Sequence, residues 1–292
     1  MDLGDDRSPP ATDEAVDARE AFALLGQEIR LDILLALLSD WVAAYTEPKS
    51  YAELMDAVGI EDSGKFNYHL GKLRGVYVRK VEDGYVPTAS ATALYRAVLA
   101  TRPTETVEHE QQLADANCPS CGTQPTLRYE RGFVTVDCPA CEQWDGFTYP
   151  FPQNGFEQRD PEKLLPAVRD RVRHEIGLAR TGQCPSCAGP IAVDPRTDVL
   201  DEPDHWVELA CESCTFVVGV DLLSVLLTDD RVAATLREIG IDPTGYDWER
   251  PDPTRTINSR DPLRLSLTVE GTSGTATVVA TGDLDIERVA VE

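Results

Sequence analysis

From Ala18 onward apolar residues recur at helical spacing: Phe22, Leu24 and Leu25, then, beyond Gly26, Ile29, Leu31, Ile33, Leu34, Leu37 and Leu38. So dense a run at a 3.6-residue period predicts a helix at the centre of a small bundle. Ser50 followed by Glu53 has capping-box spacing and opens a short helix to about Val58, where Gly59 stops it. Ile60, Glu61 and Asp62 make a turn, and Asp62 or Ser63 can cap a third helix from Gly64 to Arg74. Phe66, Leu70 and Leu73 face inward at i, i+4 and i+7, which leaves Lys65, Asn67, Tyr68, His69 and Lys72 largely outside. Tyr77 to Thr88 then alternates as two short strands joined at Asp83-Gly84, a favoured hairpin turn. A helix from Ala89 to about Thr101 closes this cysteine-free region.

The remaining chain reads as shorter pieces. Residues 1–16 are acidic, with paired prolines, and hold too few apolar side chains to order themselves. Residues 106–117 read as a polar linker. Thr126 to Glu130 and Phe133 to Val136 alternate around Arg131-Gly132, and Pro190 to Val193 with His205 to Leu209 offer strands in equivalent places. Between them, residues 159–182 form an amphipathic helix whose Arg169, Arg171, Arg173 and Arg180 read as a solvated basic face. Thr215 to Val220 predicts a strand, Asp221 to Leu227 and Asp230 to Ile239 predict helices, and residues 249–262 a second linker. Leu263 to Glu270 and Thr275 to Ala280 form a C-terminal β-hairpin, to which Leu284 to Val291 can add a strand. A hairpin alone is marginal, so it should pack on another module.

The eight cysteines form four CxxC pairs, Cys118/Cys121, Cys138/Cys141, Cys184/Cys187 and Cys211/Cys214, with none left over. Loops of sixteen and twenty-three residues separate the members of each half. Such spacing suits two tetrahedral four-thiolate sites, two Zn2+ ions with four sulfurs each, because every CxxC turn presents two sulfurs to one ion. Iron in a rubredoxin-like site has the same spacing and is less favoured, and Cys118/Cys121 could in principle share a metal with a later pair. Disulfides are disfavoured in an intracellular chain, and a redox role needs a CxxC at a strand-to-helix turn of a βαβ unit, which nothing here supplies. Because four thiolates leave no open coordination position, the sites should be structural. His205 then has a surface or packing role, and the aromatic stretch from Trp144 to Phe151 supplies a ribbon core.

Charge sharpens the picture of the N-terminal region. With 27 basic against 51 acidic residues the net charge is −24, which by itself argues against nucleic acid. Acidic residues spread through every segment in the style of salt-loving archaea, where they keep proteins soluble, so local charge is the better guide to partners. Between Ser63 and Lys80 stand Lys65, Lys72, Arg74, Arg79 and Lys80 and no acidic residue. That window coincides with the later helix of a helix-turn-helix and the first strand of a wing, where phosphate contacts would be needed.

The segment Phe66 to Leu70, with Leu73, Gly84, Tyr85 and Thr88, resembles the winged helix-turn-helix of ArsR-type regulators, especially the haloarchaeal branch, over about residues 17–105. The resemblance implies that Ser63, Lys65, Asn67, Tyr68, His69 and Lys72 lie at double-stranded DNA with Arg79 and Lys80 on the wing, and it is compatible with a homodimer. Metal-sensing members carry cysteines in this region, whereas here none precedes Cys118.

The expected fold is α+β and multidomain: an acidic tail (1–16), a winged helix-turn-helix (17–105), two tandem zinc-ribbon-like modules (118–158 and 183–248) joined by the helix of 159–182, and a C-terminal β-hairpin (263–292). The expected function is a cytoplasmic DNA-binding transcription regulator, its ribbons serving as scaffold or as contacts to transcription machinery or another protein. A zinc-ribbon adaptor whose winged domain makes protein contacts is the alternative. No P-loop, HExxH, GxGxxG or nucleophile elbow points to an enzyme, and no run of eighteen apolar residues points to a membrane.

Overall fold

The structure is a computed structural model and describes residues 17–42, 46–103, 106–141, 144, 146–196 and 206–292. The tail expected over 1–16 and His205 lie outside the described residues. The chain folds as two compact units, Met1–Glu105 and Thr106–Glu292, of mixed α and β structure with antiparallel sheets. No helix among the described residues is long and apolar enough to cross a membrane.

In the first unit the long apolar run is two helices, α1 (Ala18–Leu24) and α2 (Glu28–Leu38), and Gly26, a poor helix former, falls in the break. Helix α3 (Tyr51–Val58) has its capping box closed both ways: Ser50 Oγ accepts from Glu53 N at 3.2 Å, and Ser50 N donates to Glu53 Oε2 at 2.7 Å. Helix α4 (Ser63–Leu73) begins one residue early because Asp62 is its cap, accepting from Lys65 N at 3.0 Å. Strands β1 (Val78–Val81) and β2 (Gly84–Pro87) pair antiparallel, with Val81 opposite Gly84, so the turn residues are Glu82 and Asp83. Gly84 has a different task from the one its turn spacing suggested. Lys49 exchanges backbone hydrogen bonds with Tyr85 (3.1 and 2.8 Å), and a Cβ on Gly84 would stand 2.3 Å from Lys49 O. Helix α5 (Ala89–Thr101) is capped by Thr88, and Ile33, Leu37, Leu54, Phe66, Leu70 and Leu73 centre the core.

Among its described residues the second unit holds three antiparallel sheets. The first runs in the order β3 (His109–Gln112), β4 (Thr126–Glu130), β5 (Phe133–Asp137), β6 (Phe147–Pro150). Residues 106–117 are therefore not a plain linker: His109 pairs opposite Tyr129 and Gln112 opposite Thr126. A short α6 (Gln153–Glu157) leads to α7 (Pro161–Arg180). The second sheet is β7 (Ile191–Asp194), β8 (Trp206–Cys211) and β9 (Val217–Asp221), followed by α8 (Leu222–Leu226) and α9 (Asp230–Glu238).

The C-terminal hairpin proves to be a four-stranded meander of β10 (Thr254–Arg260), β11 (Leu263–Gly271), β12 (Gly274–Thr281) and β13 (Ile286–Val291). Half of the supposed linker 249–262 is thus its first strand, with Thr254 opposite Thr268.

Helix α7 does more than connect. Leu164, Leu165 and Val168 pack with Leu127, Tyr129 and Val136 of the first sheet. Two to three turns on, Ile176 and Ala179 join Val207, Leu209, Leu222 and Leu226 in a second core that also takes Leu265, Leu267, Val269 and Val278 from the meander. The amphipathic spacing of one helix thereby gives two cores a common wall, and the meander buries the face it could not bury alone.

Candidate metal centres and basic helix face

In the first two sheets of the second unit the cysteines stand in turns beside the strands, Cys118/Cys121 before β4, Cys138/Cys141 after β5, Cys184/Cys187 before β7 and Cys211/Cys214 at the β8–β9 turn, and the turns meet in pairs. Cys118 and Cys121 join Cys138 and Cys141, while Cys184 and Cys187 join Cys211 and Cys214, all ligand sulfurs of a group lying within 4.8 Å of one another. The arrangement removes the possibility that Cys118/Cys121 share an ion with a later pair. Sγ separations are 3.6 Å for Cys118–Cys141, 3.5 Å for Cys121–Cys138, 3.7 Å for Cys184–Cys214 and 3.5 Å for Cys187–Cys211. A disulfide requires about 2.05 Å. An ion held tetrahedrally at 2.3 Å from each sulfur requires edges of about 3.8 Å, close to the observed spacing.

Local backbone explains why the sulfurs converge. Cys118 N donates to Thr123 O and Gly122 N to Cys118 O, at 2.8 and 2.9 Å, and Cys184 repeats this with Gly189 and Ala188 at 2.9 Å each. The N–H groups of Ala140, Ser186, Ser213 and Phe216 point at Cys138, Cys184, Cys211 and Cys214 Sγ over 3.3–3.5 Å, dipoles that favour thiolates. Gly189 is required by crowding, since a Cβ there would meet Ser213 Oγ at 2.8 Å.

None of the eight cysteines is in a disulfide, and their sulfurs divide their charge unevenly. Hydrogen bonds from Thr123, side chain and backbone, lower Cys121 to about 6. Burial opposes ionisation of Cys184, but the backbone N–H groups of Cys187 and Ser186 outweigh it and lower that thiol to about 7. The Gly189 N–H favours a Cys187 thiolate, yet sharing with Cys214 and Cys211 prevails and pushes it up to about 12. Four sulfurs at this spacing cannot all ionise unless a cation neutralises them, a charge that a divalent ion held there would supply.

In the first unit, α4 presents Ser63, Lys65, Asn67, Tyr68 and Lys72 to solvent, and β1 presents Arg79 and Lys80. Tyr68 is 60% exposed, with Lys72 Nζ 5.7 Å from its ring centroid. Among the described residues Lys65, Lys72, Arg79 and Lys80 form no ion pair, whereas Lys49 is tied to Asp40 at 3.0 Å. His69 departs from the expected outward set: it is 8% exposed, and its Nδ1 is buried without a hydrogen-bond partner among the described residues. Phe66, His69, Leu70 and Leu73 stand at i, i+3, i+4 and i+7, so the inward stripe takes in the position that the i, i+4, i+7 reading left out. Burial, then the charges of Arg30 and Lys65, lower the His69 pKa and keep the ring neutral.

The arginines of α7 do not make a common solvated face. Arg171 pairs with Glu175 at 3.0 Å and Arg180 with Asp229 at 3.7 Å. Arg169, paired with Asp170 at 3.0 Å, and Arg173 line a recess of the second unit, together with Trp144 and Phe147 of the stretch read as ribbon core and with Trp248 and Arg250, which no sequence motif marked.

Residues 18–98 match the family model described as Domain of unknown function (DUF7347), and residues 115–286 match the one described as Domain of unknown function (DUF7351). No curated protein and no solved structure matches the chain. The second match spans more than half of the sequence and takes in all eight cysteines and nearly the whole second unit, and the chain belongs to the family of the Domain of unknown function DUF7351.

Proposed function

We propose that this chain is a sequence-specific DNA-binding transcription regulator. In this reading the first unit is an ArsR-like winged helix-turn-helix: α3 and α4 are its helix pair, α4 enters the major groove, and the β1–β2 hairpin is the wing. The observation that carries it is a basic, acid-free face in a chain of net charge −24. Lys65, Asn67, Tyr68 and Lys72 share the exposed side of one capped helix, Arg79 and Lys80 extend the charge onto the hairpin, and no carboxylate among the described residues neutralises the four cations. Asn67 and Tyr68 suit base edges and a thymine methyl, and the lysines suit phosphates. His69 is withdrawn from this set because it is buried.

The two tetracysteine groups hold one zinc ion each in this reading, and the ions staple small sheets that lack the area to stand alone. The exposed Leu31 and Leu35 of α2 and Val98 and Leu99 of α5 offer apolar surface for a protein contact. That surface is compatible with a homodimer, and it is also what the adaptor reading would use.

The test is genome-wide DNA occupancy of the native chain beside the Lys65→Ala/Asn67→Ala/Lys72→Ala variant, in cells at their natural salt. Discrete peaks sharing a motif, lost in the variant, are expected. Absence of peaks in both forms would replace the regulator with the adaptor.

A further inference from the structure

Three of the four tryptophans of the chain, Trp144, Trp206 and Trp248, line one recess of about 610 Å3 in the second unit. Its volume lies in the range of small-molecule sites, and its walls combine apolar rings with a few convergent polar groups, the usual make-up of such sites. Tyr246 and Trp248 stack with centroids 4.6 Å apart, Phe147 lies parallel to Trp248 at 6.1 Å, and Trp144 meets it edge-on at 5.6 Å. Arg169 covers the far end of this tower, 5.3 Å from the Tyr246 ring. Trp206 is 45% exposed, and a Cβ on Gly219 would lie 3.5 Å from its ring.

The same recess is lined by two guanidinium groups, Arg173 and Arg250, whose hydrogen bonds go to uncharged oxygens. Arg173 donates to Pro243 O, and Arg250 donates to Gly245 O at 3.0 Å and Ser224 Oγ at 2.6 Å. Neither forms an ion pair among the described residues, and burial, then Arg250 and Arg169, lower the Arg173 pKa. The lining carboxylates do not offset them fully. Asp221 is committed to capping α8, accepting from Ser224 N at 2.8 Å, Asp247 is exposed and lies within electrostatic reach of Arg250 without forming an ion pair with it, and Asp252 is exposed. Partly buried cations packed against one another are costly unless an anion joins them.

We propose that this recess binds a small anion bearing a flat aromatic ring, its ring against the tryptophan wall and its carboxylate or phosphate met by Arg173 and Arg250. Guanidinium groups bind either oxyanion through paired hydrogen bonds, and the rings favour a planar partner. The site stands independently of the DNA-binding reading, because every wall belongs to the second unit.

Calorimetric titration of the full, metal-loaded chain decides it, with adenosine 5′-monophosphate as the phosphate arm and 2-naphthoate as the carboxylate arm. Uncharged adenosine and the cation 2-naphthylmethylamine are their counterparts. At least one anion should bind at one per chain, about tenfold or more tighter than its counterpart, the scale of one charge-assisted contact. Which anion does so separates a nucleotide from an aromatic acid. The preference should vanish in Arg173→Gln/Arg250→Gln with metal content and circular dichroism unchanged. Equal binding of the uncharged or cationic probe, no binding of either anion, or a preference that survives in the folded variant would each overturn the proposal. Should the double variant lose its metal, the ordering of the four probes on the native chain decides alone.

Discussion

Single residues carry strain and crowding that explain otherwise arbitrary choices in the two cysteine turns. The first and third turns share the sequence Cys-Pro-Ser-Cys and the same backbone hydrogen bonds, but the next residue is Gly122 in one and Ala188 in the other. Both are left-handed, at φ +73 and +60. A left-handed alanine costs about 1–2 kcal/mol that glycine does not incur, partly offset by the greater freedom of glycine in the unfolded chain. Ala188→Gly is therefore expected to stabilise the second unit by about 0.5–1 kcal/mol, read as a rise in the denaturation midpoint of metal-loaded protein. A fall would show that the turn is held by something other than its φ.

At the scale of elements, α4 divides cleanly into an inward stripe and an exposed basic side, and His69 lies on the inner one. Its folded pKa is lowered, so the unfolded chain takes up a proton that the folded chain refuses. The sign is fixed by that difference: stability is full above the unfolded histidine value of about 6.5 and is lost as pH falls through it. His69→Leu should remove this acid-side loss, because the buried Nδ1 without a partner and the titrating group leave together. Chemical denaturation of both forms at pH 8 and pH 5.5 measures it, and an equal acid loss in the two would assign the effect to carboxylates elsewhere.

The elements that escaped the periodic pattern did so for one reason. Strand β3 is His-Glu-Gln-Gln, and β10 has Ile257 as its single large apolar residue, so neither shows a buried face. Both are edge strands whose backbone pairing, rather than side-chain burial, earns their place.

For the whole molecule the metal groups set what can unfold separately. A chelator should release two ions per chain and disorder the second unit, whose first two sheets are tied at the cysteine turns and whose meander packs on the same core as the second, while the cysteine-free first unit keeps its helices. Limited proteolysis after chelation should therefore cut within 106–292 and spare 18–101, and native mass spectrometry should count the ions before and after. Loss of both regions together would mean that the first unit depends on the metal-loaded one.

The sequence by itself determined what depends on short-range chemistry. The capping box at Ser50, the inward positions Phe66, Leu70 and Leu73, the hairpin of β1 and β2, the four cysteine pairs and the basic window all follow from spacing, because each rests on a turn geometry or a helical period that spans only a few residues. Tertiary structure alone decided which cysteine pairs meet, that α7 walls two cores, that His69 turns inward, and that Trp206, Trp248, Arg173 and Arg250 surround one recess. Those features join residues up to about a hundred positions apart, and no local period encodes them. Packing brings them together only after the helices and sheets have chosen partners, and there unpaired charge and buried rings acquire a chemical meaning that no spacing announced.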